Sequence, residues 1–133
     1  SIEETIGRLG LSNRVKIVDG VGNLDLPVVY QQSSLCVNAS LWEGFGMPVL
    51  EGLCSKVPVL ASDIASHKEA GGTGARYFKA TDKEELKHLM LTVLTDSNLQ
   101  KQMILQGQRH AQEMSSKICA EKMMMLYSQL IRN

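Results

Sequence analysis

Two glutamates bracket a glycine turn near the middle of this 133-residue sequence. Glu43 stands directly before Gly44 and Gly46, and Glu51 follows shortly after Pro48. Carboxylates accept hydrogen bonds from sugar or ribose hydroxyls, glycine lets the backbone approach a ligand closely, and the free N–H groups that begin a helix attract an anion. Together these residue types favour a phosphorylated sugar as the ligand. The alternative is a purely structural glycine-rich turn that carries two solvated glutamates.

Short apolar runs alternate with helical segments as far as Phe78. Proline is favoured at the first position of a helix, which predicts a helix over Pro48–Ser55, and two more are predicted over Ile2–Leu9 and Leu24–Gln32. This alternation predicts an α/β fold in which a partial Rossmann-like parallel sheet is flanked by helices. Ligands of such sheets bind beyond the carboxyl ends of the strands, where Ser40–Glu51 falls. The predicted strands are Arg14–Val18, Ser34–Asn38 and Val57–Ala61, with Ala75–Phe78 as a fourth candidate.

The rest of the chain is predicted to form a helical C-terminal tail. Thr81, with Glu84 three residues later, has the pattern of a capping box. Ser97 and Ser116 are predicted to cap two further helices. The run Met123–Met125 lies on the last of these helices, and we expect its methionines to fill the core.

Composition limits the class of function. The sequence has 14 Lys and Arg against 14 Asp and Glu, so it lacks the basic excess that nucleic-acid binding requires. No apolar run approaches the roughly 20 residues of a membrane span. The three cysteines lie apart among apolar neighbours without the spacing of zinc ligands. We therefore expect buried reduced thiols and a cytoplasmic location.

The length predicts a single domain over residues 1–133. A sheet of three or four parallel strands would leave one edge unprotected. We therefore interpret the chain as the later part of a larger fold, and we expect that the open edge could also pair with a second copy of the chain.

Two further side chains are candidate site residues. His67 follows the end of a predicted strand, where it could act as a general base, but a turn residue that hydrogen-bonds locally is the favoured interpretation. Trp42, beside Glu43, could stack on a sugar or a base, or it could close the turn by packing.

The pattern Ser40-x-x-Glu43-Gly44-Phe45-Gly46, completed by Glu51, resembles the E-x7-E signature of the retaining GT-B glycosyltransferases of family 4. Other segments resemble the same family in the same order along nearly the whole chain. They are Val15–Ile17 with Gly20, Pro58–Asp63, Ser66–Glu69 with Gly72, Tyr77 with Phe78, Asp82–Asp96 and Tyr127–Leu130.

The resemblance implies the distal part of the C-terminal, donor-binding half of a GT-B enzyme. It implies hexosyl transfer with retention from a nucleotide-diphospho-sugar, without a metal or other cofactor. Glu51 would bind the ribose hydroxyls, and Glu43 would be the catalytic residue beside the donor sugar. The backbone amides implied to contact sugar hydroxyls are those of Gly44, Phe45, Gly46 and Met47, and those implied to approach the diphosphate are Val49 and Leu50.

The sequence departs from the family pattern at Lys56, where a glycine is usual at the end of a helix. We expect this departure to lower stability rather than to change function. The family's Arg and Lys that bind the diphosphate, and its N-terminal half that binds a carbohydrate or lipid-linked acceptor, would precede Ser1. The parent enzyme is expected in the cytoplasm, at the inner face of the membrane if it is membrane-associated.

Without these Arg and Lys, two hydrogen bonds to the charged diphosphate would be lost, each worth about 1.5–3 kcal/mol. Donor binding would then be weaker by roughly a hundred- to ten-thousandfold. We therefore expect the isolated chain to be inactive. The alternative function is a non-catalytic nucleotide-sugar-binding or assembly module of the same fold. A GT-B-fold epimerase is a third hypothesis, which the E-x7-E pattern disfavours.

Overall fold

A sheet of three short parallel strands lies at the centre of the computed structural model, which describes residues 1–131. The spatial order of the strands is the order along the chain, and Val59 lies between Cys36 and Ala75. Parallel neighbours joined through helices are the expected result of strand–helix alternation. The strands are β1 (Cys36–Asn38), β2 (Val59–Ser62) and β3 (Ala75–Phe78).

Seven helices surround or follow this sheet within residues 1–131. The three helices predicted before Phe78 are present to within two residues at each end, and the fourth strand candidate is confirmed as β3. The helices are α1 (Ile2–Arg8), α2 (Leu26–Gln31), α3 (Met47–Cys54), α4 (Ala65–Gly71), α5 (Lys83–Thr95), α6 (Ser97–Glu113) and α7 (Ser116–Ile131).

Strand β2 is buried on both of its faces, as its uninterrupted apolar run predicts. Alternate side chains of a strand point to opposite faces, so Val59 and Ala61 join one apolar cluster and Leu60 joins another. The first cluster contains residues of α3 and α4, and the second contains Phe78 and residues of α5 and α6. This packing fixes the carboxyl end of β2 relative to α3 and α4.

The predicted strand Arg14–Val18 is wrong. The segment begins with a turn, in which the N–H groups of Arg14 and Val15 donate to the Leu11 carbonyl, and Ile17 is exposed. A β-branched run becomes a strand only where a neighbouring strand accepts its hydrogen bonds. Within residues 1–131, β1 pairs with β2 alone, and no strand lies beside Arg14–Val18.

The predicted helix caps are each displaced by one residue. Asp82, not Thr81, caps α5 by accepting from the N–H groups of Glu84 and Glu85. A carboxylate outcompetes a neighbouring hydroxyl here because it accepts two bonds and complements the helix dipole. The same displacement occurs at the other two helices. Asp96, not Ser97, caps α6, and at the start of α7 the Ser115 hydroxyl, not that of Ser116, accepts from the N–H of Ile118.

The prediction that the methionine run fills the core is also wrong. Met123, Met124 and Met125 are 54%, 62% and 64% exposed, and α7 has no buried residue. Helical spacing of apolar residues predicts an apolar face but not whether another element covers it. The expected burial of the thiols likewise fails for Cys54 and Cys119, which are exposed, although all three cysteines are free.

Helix α3 ends in a Schellman motif that places Lys56 in the left-handed region, at φ +63°. The N–H of Lys56 donates to the Leu53 carbonyl, and the N–H of Val57 donates to the Gly52 carbonyl. The side chain of Lys56 is exposed. The departure from glycine therefore falls at a position where the Cβ atom is unfavourable.

Replacing Lys56 with glycine should raise the free energy of unfolding by about 1 kcal/mol, since glycine has no Cβ to oppose a positive φ. Urea denaturation measures this as a higher midpoint at an unchanged slope. Lys56→Ala is the matched control, because it removes the same side chain but keeps the Cβ, and it should give no such gain. Equal stability of the glycine and alanine variants would contradict the backbone explanation.

Candidate functional site

Glu43 lies in the loop that leaves the carboxyl end of β1. Its Oε1 accepts hydrogen bonds from Asn38 Nδ2 at 2.8 Å and from Ser40 Oγ at 2.6 Å. Asn38 also holds the loop itself, since its Oδ1 accepts from the backbone N–H of Ser40 at 3.2 Å. The last residue of the strand therefore orients both the loop and the carboxylate.

His67 lies beside the second oxygen of Glu43 and is fully buried. Its Nδ1 is 3.0 Å from both the hydroxyl and the carbonyl oxygen of Ser62, and its Nε2 is 3.4 Å from Glu43 Oε2. The ring belongs to α4, so the expectation of a turn residue is wrong, although its contact with Ser62 is local. Sequence reasoning missed Ser62 as a site residue; a polar side chain at the end of an otherwise apolar strand was the available signal.

The surroundings of Glu43 favour its ionised form. The hydrogen bonds from Ser40 and Asn38, with a smaller contribution from His67, hold the pKa of Glu43 below its usual value and outweigh the effect of burial. The side chain remains 20% exposed. Glu43 therefore presents a fixed negative charge to solvent at the carboxyl edge of the sheet.

Glu51 lies one helical turn into α3, where its Oε2 accepts a hydrogen bond from the Tyr30 hydroxyl at 3.1 Å. Burial, followed by the nearby Cys36 and Glu51, raises the pKa of Tyr30, so the phenol keeps its proton and remains a donor. Glu51 and Glu43 line two adjacent grooves that share Leu26 and Tyr30. The two predicted carboxylates therefore do not line one common groove, and Tyr30 is shared by the grooves that each of them lines.

Gly46 connects the Glu43 loop to α3 in a conformation that requires glycine, with φ at +96°. A Cβ atom there would lie 3.0 Å from His67 Cδ2 and 3.3 Å from Ala70 Cβ. The loop can therefore pack directly against α4. This close approach brings Glu43 and His67 together.

The amides predicted to contact a donor have different surroundings. The N–H groups of Val49 and Leu50 both donate to the Gly46 carbonyl, at 3.0 and 3.3 Å. A diphosphate would have to share these donors, and such contact stays a prediction. Gly44 is exposed, whereas Phe45 is half-buried against the core.

Two side chains between Ser40 and Pro48 face solvent. Met47, the first residue of α3, is 52% exposed, and Trp42 is 85% exposed. The packing role considered for Trp42 is therefore wrong. Its ring remains free to stack on a ligand.

No group of three or more His, Cys, Asp or Glu side chains that could hold a metal ion occurs within residues 1–131. Over the same range, none of the helices combines the length and the apolar character needed to cross a membrane.

The model of the family "Glycosyl transferases group 1" matches residues 1–110. The chain is 31% identical over 84 residues to the O-antigen chain mannosyltransferase RfbU of Salmonella typhimurium, covering 63% of this chain and 24% of that protein. It is 27% identical over 116 residues to the O-antigen chain mannosyltransferase B of Escherichia coli, covering 87% of this chain and 30% of that protein. Further bacterial relatives are mannosyltransferases as well.

Comparison with solved structures confirms the predicted fold. The sucrose-phosphate synthase from Thermosynechococcus elongatus superimposes with a TM-score of 0.87 at 24% identity, over 98% of this chain and 34% of that one. The structural neighbours are GT-B glycosyltransferase domains. The chain spans 24% of the length of RfbU, 30% of mannosyltransferase B and 34% of the sucrose-phosphate synthase. By the match to its family model, the chain belongs to the group 1 glycosyl transferases.

Proposed function

We propose that this chain binds a nucleotide-diphospho-mannose donor as part of a retaining mannosyltransferase. The observation that carries the proposal is the ionised Glu43, fixed at the carboxyl edge of a parallel sheet and open to a groove. Ligands of open α/β sheets bind at this edge. The choice of mannose is supported by the relatives, which are mannosyltransferases.

Glu43 is proposed as the catalytic residue beside the transferred sugar. Glycosyl transfer passes through a transition state in which the sugar ring carries positive charge. A preorganised carboxylate stabilises that charge without reorganising as it develops. Asn38 and Ser40 hold the carboxylate in one orientation, so its negative charge has a fixed position in the groove.

Glu51 is proposed to bind the ribose of the donor. Its Oε2 is used by Tyr30, while an ionised carboxylate has further acceptor sites for the hydroxyls of a ribose. The donor would then extend from the Glu51 groove, past the start of α3, to Glu43. Retention and independence of metals rest on the E-x7-E resemblance.

The remaining roles belong to the proposed whole enzyme. The acceptor, a carbohydrate or a lipid-linked sugar, would be bound by another part of it, because this chain spans only 24% of RfbU and 30% of mannosyltransferase B. A cytoplasmic location at the inner face of the membrane would suit such an acceptor. A second copy is also proposed to pair at the edge of β1 that has no strand beside it within residues 1–131.

The 133-residue chain by itself should bind sugar nucleotides weakly. The Arg and Lys side chains that are proposed to bind the diphosphate lie outside this chain. Isothermal titration with GDP-, UDP- and ADP-linked hexoses, including a mannosyl donor, should detect no micromolar complex. Micromolar binding without transfer would contradict this expectation and favour the non-catalytic binding module instead.

In the enzyme that carries this chain, Glu51→Gln should raise the dissociation constant of the donor roughly ten- to hundredfold, as expected for loss of a charged hydrogen-bond acceptor. Glu43→Gln should mainly lower kcat, because the charge of Glu43 acts on the transition state. Donor titration and steady-state kinetics separate the two effects.

The matched control for both variants is Glu121→Gln, which makes the same change of charge on the exposed surface of α7. It should leave both constants unchanged. If Glu51→Gln bound the donor as well as Glu121→Gln does, the assignment of Glu51 to the ribose would be wrong.

Ser40→Ala should raise the pKa of Glu43, because the Ser40 hydrogen bond is the largest cause of its lowering. A carboxyl whose pKa is lower in the folded state stabilises the fold above its unfolded pKa, and that stabilisation is lost as pH falls through the folded value. The variant should therefore be less stable than the wild type near neutral pH, and the difference should shrink in acid.

Carbon-13 NMR titration of the Glu43 carboxyl measures the change in its pKa. Urea unfolding at neutral and at acid pH measures the difference in stability between the variant and the wild type. Ser34→Ala, at an exposed position, is the control. A deficit of Ser40→Ala that stayed constant down to acid pH would show that the hydrogen bond to ionised Glu43 is not its cause.

A further inference from the structure

The buried imidazole of His67 has one nitrogen whose partner is not accounted for. Among residues 1–131, Nε2 of His67 is the buried side-chain nitrogen or oxygen without a hydrogen bond. It lies 3.4 Å from Glu43 Oε2, within ion-pair distance. Buried polar groups are paired in most proteins, so the position of the protons in this contact needs an explanation.

The surroundings of Nδ1 determine where the first proton lies. Nδ1 is 3.0 Å from the Ser62 carbonyl oxygen, which can only accept. The Ser62 hydroxyl, also 3.0 Å from Nδ1, donates its own hydrogen to the Ser40 carbonyl. Neither oxygen can donate to the ring, so Nδ1 must carry a hydrogen.

A hydrogen on Nδ1 determines what the opposite nitrogen, Nε2, can offer to Glu43. If the imidazole is neutral with its hydrogen on Nδ1, then Nε2 directs a lone pair at Glu43 Oε2. The two donors on Oε1, Asn38 and Ser40, stabilise the ionised carboxylate, so that oxygen is an acceptor as well. Two facing acceptors repel, and a proton between Nε2 and Oε2 removes the repulsion.

We propose that His67 is a positioning residue for Glu43: its imidazolium donates Nδ1–H to Ser62 and Nε2–H to Glu43 Oε2. The carboxylate then has donors on both oxygens, contributed by the end of β1, the following loop and α4. The importance of this arrangement for sugar transfer rests on the proposed function, whereas the placement of the proton does not.

Glu43 is the ion-pair partner within reach of the imidazole in residues 1–131. The Tyr77 hydroxyl lies 3.4 Å from the carbonyl oxygen of His67. On the surface of α4, Lys68 is paired with Asp63 at 2.6 Å. On the loop side, the ring meets Gly46, which carries no side chain.

Nitrogen-15 NMR of the unmodified protein tests the placement of the protons without any risk to folding. At neutral pH we expect a hydrogen on both ring nitrogens of His67. The exposed His88 provides an internal reference for a solvated ring in the same spectrum. A bare Nδ1 or a bare Nε2 would overturn the inference.

Kinetics of the enzyme that carries this chain test the positioning role. His67→Phe keeps a ring of similar shape and should lower kcat roughly ten- to hundredfold, the loss expected for one charged hydrogen bond, with KM unchanged. His67→Gln should recover part of that loss, since its amide can donate to Glu43. His88→Gln is the matched control and should behave as the wild type.

The outcomes separate this inference from the proposed function. If kcat of His67→Phe equals that of the wild type while Glu43→Gln is impaired, the positioning role is wrong and the proposed function stands. If Glu43→Gln is fully active while both ring nitrogens of His67 carry hydrogens, the proposed function is wrong and the proton placement stands.

Discussion

Glu43 accepts hydrogen bonds from Asn38 and Ser40 on one oxygen and faces His67 with the other. Each of these three partners is fixed by a different part of the fold. Asn38 ends β1, Ser40 lies in the following loop, and His67 is anchored to the end of β2 through Ser62. The carboxylate is therefore positioned by the relative placement of two strands and a helix, not by the loop alone. A site built in this way is preorganised only if the sheet and α4 are correctly packed.

Glycine makes that packing possible at the centre of the site. With φ at +96° and no Cβ, Gly46 lets the loop pack against His67 and Ala70. Further along α3, Gly52 allows a similarly close approach to β2, since a Cβ there would lie 2.8 Å from Val59 Cγ2. Helix α3 thus lies close to β2 and carries Glu51 toward Tyr30. The E-x7-E spacing has a structural meaning here, because it places one carboxylate before the close approach and the other beyond it.

Much of this could be predicted from the residues themselves. The apolar run of β2 and the proline at the start of α3 predict both elements. The donor-binding roles that the family resemblance implies for Glu43 and Glu51 stay predictions. The strand Arg14–Val18 could not be judged locally, since strand formation depends on a neighbour that propensity does not reveal. The exposure of Met123–Met125 is a similar case, because an apolar face does not identify what covers it. His67 was misjudged because its contacts with Glu43 and Ser62 require three segments to meet in space.

In the proposed donor complex, Glu43 and Glu51 bind one activated sugar from either side of the start of α3. A crystal structure of the proposed whole enzyme, bound to an unreactive analogue of a mannosyl donor, would show whether this arrangement forms. The arrangement requires the Glu51 carboxylate within hydrogen-bond distance of the ribose hydroxyls and the Glu43 carboxylate beside the sugar ring. A donor bound elsewhere on the sheet, or one that touches neither carboxylate, would contradict it.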